Sequence, residues 1–198
     1  TPGRVKEFCI KWLHNNGQHP AKQTPLVSTH NNILMKRLVI IRHAKTIPSG
    51  YDQDFERTLT ERGAVDAENM GMKLRSIHIK PDLVIASPAV RTTQTAHILC
   101  NQLEYDKSMI WFEKKLYSGR TAENFLRMLQ ELEPEKETVM VIGHNPTVYY
   151  YISYLLDEFY DDVPTCSTVG ITFDTDRWED IEPGSGKLAF RFIPDMFR

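Results

Sequence analysis

The chain has 198 residues, 41% hydrophobic and 25% charged, with a formal net charge of −2 at pH 7. That composition fits one globular domain with at most an extension, and the near-neutral balance excludes a global field for nucleic acid or an anionic membrane surface. No apolar run approaches the ~20 residues that span a bilayer, the start shows no signal-peptide pattern, and Cys9, Cys100 and Cys166 are too scattered for a disulfide framework or a zinc site. A reducing cytoplasm is therefore the expected location.

Residues 1–34 read as an extension of unknown role, and residues 35–198 as the domain. The stretch "NNGQHPAKQTPLVSTHNN" is polar, carries Gly17, Pro20 and Pro25, and has no sustained periodicity. Before it, "VKEFCIKWLH" predicts a short helix with Phe8, Trp12 and Leu13 on one face. From Met35 strands and helices alternate. "RLVIIR" predicts a buried strand. "TERGAVDAENMGMKLRSI" predicts a helix with Ala64, Ala67, Gly71 and Leu74 inward, and "PDLVIAS" a second strand. "SPAVRTTQTAHILCNQL" opens as a helix with Ser87 as N-cap and Pro88 at the first position. "SMIWFE" reads as a short strand, "TAENFLRMLQEL" as a helix capped by Thr121, and "ETVMVIG" as the third buried strand. "NPTVYYYISYLL" reads as a helix capped by Asn145, and "CSTVGITFD" and "GKLAFRFI" as two late strands joined by the loop "DTDRWEDIEPGSG". Buried β-branched strands alternating with helices imply an α/β layer fold with a mostly parallel sheet.

Ligands of such sheets bind beyond the carboxyl ends of the strands. The first strand ends in Arg42-His43. The second ends in Ser87-Pro88 with Arg91 one turn on. The third ends in Gly143-His144-Asn145-Pro146. If the three strands are neighbours, two histidines, two arginines and two helix N-termini face one crevice. Guanidinium forks match phosphate oxygens, and helix N-termini offer free N–H donors. A metal site would need carboxylates or cysteines that these segments lack, so no metal and no cofactor is expected. A neutral imidazole can instead attack phosphorus. Neighbouring cations would keep His43 uncharged and its nitrogen free. One Arg-His pair after a strand is commonly structural, but three such signals at three strand ends are hard to assign to chance.

"RHAK", "DQDFERTLTERG", "SPAVRTTQTA", "LYSG" and "VIGHNP" together resemble the histidine phosphatase superfamily, and most of all its SixA-like phosphohistidine phosphatases. The resemblance runs from about Met35 to Phe197. It implies the phosphoglycerate mutase-like fold, a three-layer α/β/α sandwich around a mostly parallel central sheet. It also implies a metal-independent phosphatase that works through a phosphohistidine. On that resemblance His43 is the nucleophile, and Arg42, Arg57, Arg91 and His144 bind the phosphoryl group. Thr46 lies where the wider family has a small polar residue near the phosphate.

Asp54 either orients Arg57 or donates the leaving-group proton. Glu113 is the nearest candidate for the glutamate acid of the mutases and sugar phosphatases. Ala44 replaces the family's commoner glycine after the nucleophile. Only about thirty residues separate Arg57 from Ser87, too few for the insertions that enclose a sugar phosphate. The expected partner is a phosphorylated protein side chain, the leading candidate a phosphohistidine, and neither a nucleic acid nor a membrane. The alternatives are a small-molecule phosphatase or mutase, or a weakly catalytic phospho-protein binding module.

Overall fold

A computed structural model of the protein describes residues 35–48 and 51–197. The expected extension over residues 1–34, with its short helix, lies outside the described residues. Six strands form one mixed sheet: β1 Lys36–Arg42, β2 Leu83–Ala86, β3 Trp111–Phe112, β4 Thr138–Gly143, β5 Thr168–Phe173 and β6 Lys187–Phe192. Their spatial order is β3-β2-β4-β1-β5-β6. The pairs β3–β2, β2–β4 and β4–β1 are parallel, while β5 runs antiparallel to both β1 and β6. The expected α/β architecture is thus observed, with a single strand, β5, running against the others.

Alternation along the central strands builds the three layers. Leu38 and Ile40 of β1, with Val139 and Val141 of β4, pack under α4 (Ala122–Gln130) and α5 (Thr147–Leu155). Val39, Ile41, Met140 and Ile142 point the other way, under α1 (Glu61–Ser76) and α2 (Val90–Leu103). All six residues of β4 are buried, which is why it reads as an uninterrupted apolar run. Each fully buried aliphatic side chain contributes roughly 1.5–3 kcal/mol by its removal from water. Thr60 caps α1 by accepting from the Gly63 N–H at 3.0 Å, and Thr121 caps α4 through Asn124 at 3.3 Å. Among the described residues, no helix is long and apolar enough to cross a membrane.

Two helix starts differ from expectation. α2 begins at Val90 with Ala89 at its N-cap and no side-chain cap; the Ser87 hydroxyl lies two residues earlier, where it accepts from the Ala89 N–H at 3.4 Å and bonds a histidine ring at 2.8 Å. α5 begins at Thr147, again with no side-chain cap; the Asn145 amide donates instead to the Val163 carbonyl at 3.0 Å. The loop between β5 and β6 is also more ordered than its polarity suggests. Trp178 is buried in it and meets the Phe173 ring at 6.5 Å. Of the tyrosines in α5, Tyr151 is core, stacked on Phe125 at 4.0 Å, whereas Tyr150 is exposed.

Candidate active site

Strand register assembles the site. Arg42 is level with Gly143 across β1–β4, and Ala86 with Ile142 across β2–β4. The ladder continues one step beyond the strands: the His43 N–H donates to the Gly143 carbonyl and the Ser87 N–H to the Ile142 carbonyl, both at 3.0 Å. His43, His144 and Ser87 therefore leave three adjacent strands side by side. The two imidazole centroids are 5.2 Å apart, and His144 Nε2 shares a 2.8 Å hydrogen bond with Ser87 Oγ. On the opposite flank the Cys166 N–H bonds the carbonyls of both Arg42 and His43, at 3.1 and 3.0 Å.

The contact of His43 Nδ1 with the Ala44 carbonyl, at 2.8 Å, decides the tautomer. A carbonyl only accepts, so Nδ1 carries the proton and Nε2 keeps its lone pair. Ala44 is itself fixed by its N–H, which donates to Thr95 Oγ1 at 3.0 Å. The imidazole is thus oriented with Nε2 bare by the Ala44 carbonyl, which Thr95 in turn holds in place.

Around it stand the guanidinium groups. Arg42 donates to the Val163 carbonyl at 2.9 Å. Arg57 donates to the Ile47 carbonyl and to Asp54 Oδ1, each at 3.1 Å, and to Thr46 Oγ1. Arg91, only 5% exposed at the start of α2, donates to Asp54 Oδ2 at 2.9 Å and to the Asp54 carbonyl. Asp54 is therefore a tie between two arginines, and the Tyr117 hydroxyl donates to the same Oδ2 at 3.2 Å. Arg42, His43, Thr46, Asp54, Arg57, Arg91 and His144 line one cleft of about 530 Å³. Lys45, Arg62, Asp66 and the Ile193–Asp195 segment also line it.

A Cβ on Gly63 would lie 2.1 Å from the Lys45 carbonyl oxygen, so α1 docks against the segment following His43 only without a side chain there.

Electrostatics follow from this packing. Burial pushes the His43 pKa down to about 4, and the charges of Arg91, Arg42 and Arg57 add to the effect against the opposing hydrogen bond to Ala44. Burial likewise takes His144 down to about 3, helped by Arg91 and partly opposed by Asp54. Both rings are neutral at pH 7. Partial burial alone would raise the Asp54 pKa, but the hydrogen bond from Arg57, the charge and hydrogen bond of Arg91, and the Tyr117 hydroxyl outweigh it. The carboxyl is held below its ordinary value. Arg42 Nε, Arg91 Nε and His144 Nδ1 are buried without a protein partner. Three polar atoms of that kind, beside Arg42, Arg57 and Arg91, suit an anion with several acceptor oxygens.

The structure therefore gathers Arg42, His43, Asp54, Arg57, Arg91, His144 and Thr46 into one place. Glu113 stands apart. It pairs with Arg120 at 3.3 Å, accepts from the Lys115 N–H at 2.8 Å, and does not line the cleft. Sequence reasoning assigned no role to Tyr117, although it lies in the "LYSG" motif. Its ring sits 5.6 Å from that of His144, and Arg91 lies 5.8 Å from its face.

A parallel-sheet crevice with a bare imidazole nitrogen among arginines has the chemistry to hold a phosphoryl group. Residues 38–116, which hold three of the five resembling motifs whole, match the family profile described as "Histidine phosphatase superfamily (branch 1)". The chain is 27% identical over 187 residues to the mitochondrial serine/threonine-protein phosphatase Pgam5 of Drosophila virilis. That alignment takes in 81% of this chain and 63% of the relative's length. The fold is similar to that of the protein histidine phosphatase SixA complexed with tungstate. There the TM-score is 0.72 at 24% identity, over 82% of this chain and 99% of the other. It is also similar to that of a phosphoglycerate mutase from Plasmodium falciparum, with a TM-score of 0.55 at 18% identity over 81% and 91%.

Proposed function

We propose that the protein is a metal-independent phosphatase that forms a phosphohistidine at His43, with a phosphohistidine side chain of another protein as its leading substrate. The observation that carries this reading is the His43 tautomer: Nδ1 is committed to a carbonyl and Nε2 is free, among three arginines. In the first step Nε2 attacks phosphorus in line, and the bond to the leaving group breaks. Arg42, Arg57, Arg91 and His144 hold the oxygens on which charge is distributed. In the second step water attacks phosphorus, inorganic phosphate departs, and the bond electrons return to Nε2. An ionised Asp54 is poorly suited to protonate a leaving group. That favours a phosphoramidate, whose imidazole leaves more readily than an alkoxide.

A second reading, serine/threonine dephosphorylation, is favoured by the similarity to the Drosophila protein. It uses the same first nucleophile but must supply a proton to an alkoxide. Quenching turnover of a labelled phosphoryl donor without acid should leave label on His43 that is acid-labile and base-stable. Label persisting in His43→Ala would overturn the assignment. A panel of phosphohistidine peptide, phosphoserine peptide and sugar phosphate separates the readings. Turnover is expected to persist in EDTA, and its restoration by added magnesium or zinc after chelation would refute metal independence.

A further inference from the structure

Arginines and histidines crowd the part of the cleft around His43, and a pair of large apolar rings stands beside it. Phe55, in the short helical segment Tyr51–Glu56, and Tyr117, in the single turn Lys115–Ser118, meet edge to face with centroids 5.0 Å apart at 88°. Both are surface residues, 41% and 37% exposed, although a ring pair of this kind normally seeks the core. They are also tied to the phosphate pocket itself. Asp54 precedes Phe55 directly, the Tyr117 hydroxyl donates to Asp54 at 3.2 Å, and the Tyr117 ring lies edge-on to His144 at 5.6 Å. Neither ring lines the cleft itself; the pair borders it where Asp54, Arg91 and His144 stand, with Arg91 5.8 Å from the Tyr117 ring.

We infer that Phe55 and Tyr117 form a platform for the leaving group and select planar, aromatic ones: an imidazole or a phenyl ring rather than an alkyl chain. The inference rests on the phosphate-binding reading of the cleft and adds residues that read the group beyond the phosphate. The physical basis is that a flat π-system stacks offset or edge-on against exposed rings, beyond the gain from area alone. A saturated ring of equal size gains only the area. Tyr117 contributes its ring to the platform, while its hydroxyl is spent on Asp54. Phe55 has no polar role, so it is the cleaner probe.

The test compares phenylphosphonate with cyclohexylphosphonate, which carry the same phosphonate head and do not turn over, with inorganic phosphate as control. Binding is measured by calorimetry to the parent, Phe55→Leu and Tyr117→Phe. The parent should bind the phenyl compound about three- to tenfold more tightly than the cyclohexyl compound. Phe55→Leu should lose most of that preference while binding inorganic phosphate as before. Tyr117→Phe should keep the preference, since the ring remains. The same Phe55→Leu should lower kcat/KM on phosphohistidine peptide more than on an alkyl phosphate. Equal affinities for the two phosphonates in the parent, or an unchanged preference in Phe55→Leu, would overturn the platform. Retained phosphonate preference in a protein that turns over no phosphate ester or phosphoramidate would instead uphold the platform and overturn the catalytic reading.

Discussion

Replacing Asp54 by asparagine separates the two roles open to this carboxylate. The side chain keeps its shape and its hydrogen-bonding oxygen but loses its charge. Arg91, 5% exposed, then loses the anion at 2.9 Å, and Arg57 the one at 3.1 Å. Two unit charges near a protein surface at 4 Å interact by about 4 kcal/mol. Asp54, however, has a side chain 40% exposed, so solvent screens most of this. A net loss of about 1–2 kcal/mol of stability is expected, between exposed pairs and the ~3–5 kcal/mol of a broken buried pair. For a domain of this size that lowers the melting temperature by about 2–8 °C. The same change leaves the pocket more positive, so inorganic phosphate should bind about three- to tenfold more tightly and close part of the melting gap. On catalysis, a proton donor would show as a loss of ~10²–10⁴ confined to alkyl phosphates. A tie between arginines predicts losses of similar size on phosphohistidine peptide and alkyl phosphate. Melting curves with and without phosphate, and kcat/KM on both substrates, read all of this. Unchanged melting with weaker phosphate binding, or a loss restricted to alkyl phosphates, would refute the argument.

Other expectations follow from the same geometry. Arg91→Ala should cost roughly 10²–10³ in kcat/KM, by analogy with the loss of one oxyanion donor. Arg91→Lys should recover only part, since an ammonium has no fork to place on both Asp54 and a phosphoryl oxygen; full activity in the alanine variant would remove Arg91 from the chemistry. The His43 ring should not titrate between pH 8 and 5.5, because its pKa is pushed down to about 4; an NMR midpoint near 6.5 would contradict the proposed field of the pocket. Both buried histidines bind protons more weakly folded than unfolded. Their contribution to stability is therefore complete above about pH 6.5 and lost as pH falls toward 4 and 3, by about 1.4 kcal/mol per unit per histidine. Urea melts of the parent and of His43→Gln at pH 7 and 5 should show a smaller acid loss in the variant, and equal losses would refute the linkage. Gly63→Ala should cost at least 1–3 kcal/mol, because the new Cβ meets a backbone carbonyl at 2.1 Å; a change within 0.5 kcal/mol in the same melts would show that α1 shifts freely.

The sequence was most legible where burial is two-sided. β1 and β4 appear as continuous β-branched runs because helices cover both faces, and the chemistry at their ends followed from the α/β layer rule. It was less legible where a site recruits a local signal for another purpose. Ser87 and Asn145 look like helix caps by residue type, yet both precede the N-cap position, and their side chains also serve His144 and the Val163 carbonyl. The Asp54–Arg91 bond joins residues 37 apart in sequence, with no periodicity to betray it. Tyr117 sits in a four-residue helix too short for any pattern. Glu113 was proposed on chain position alone, and its pairing with Arg120 could be known only from the fold.

The position of β1 in the sheet has a consequence for how the protein comes into being. β1 is the first described strand in the chain, yet its neighbours are β4 and β5; Arg42 waits for Gly143, and Ile41 for Thr168. Closing a gap of about a hundred residues costs chain entropy before any ladder bond forms, which slows folding. At a synthesis rate of ~5–20 residues per second, the strand that leads into His43 stays unpaired for several seconds after it is made. An apolar strand held open that long is a target for chaperones and for misassembly. Phosphate-pocket binding is correspondingly an all-or-none reporter of the finished sheet, and fragments ending before β4 should show none of it.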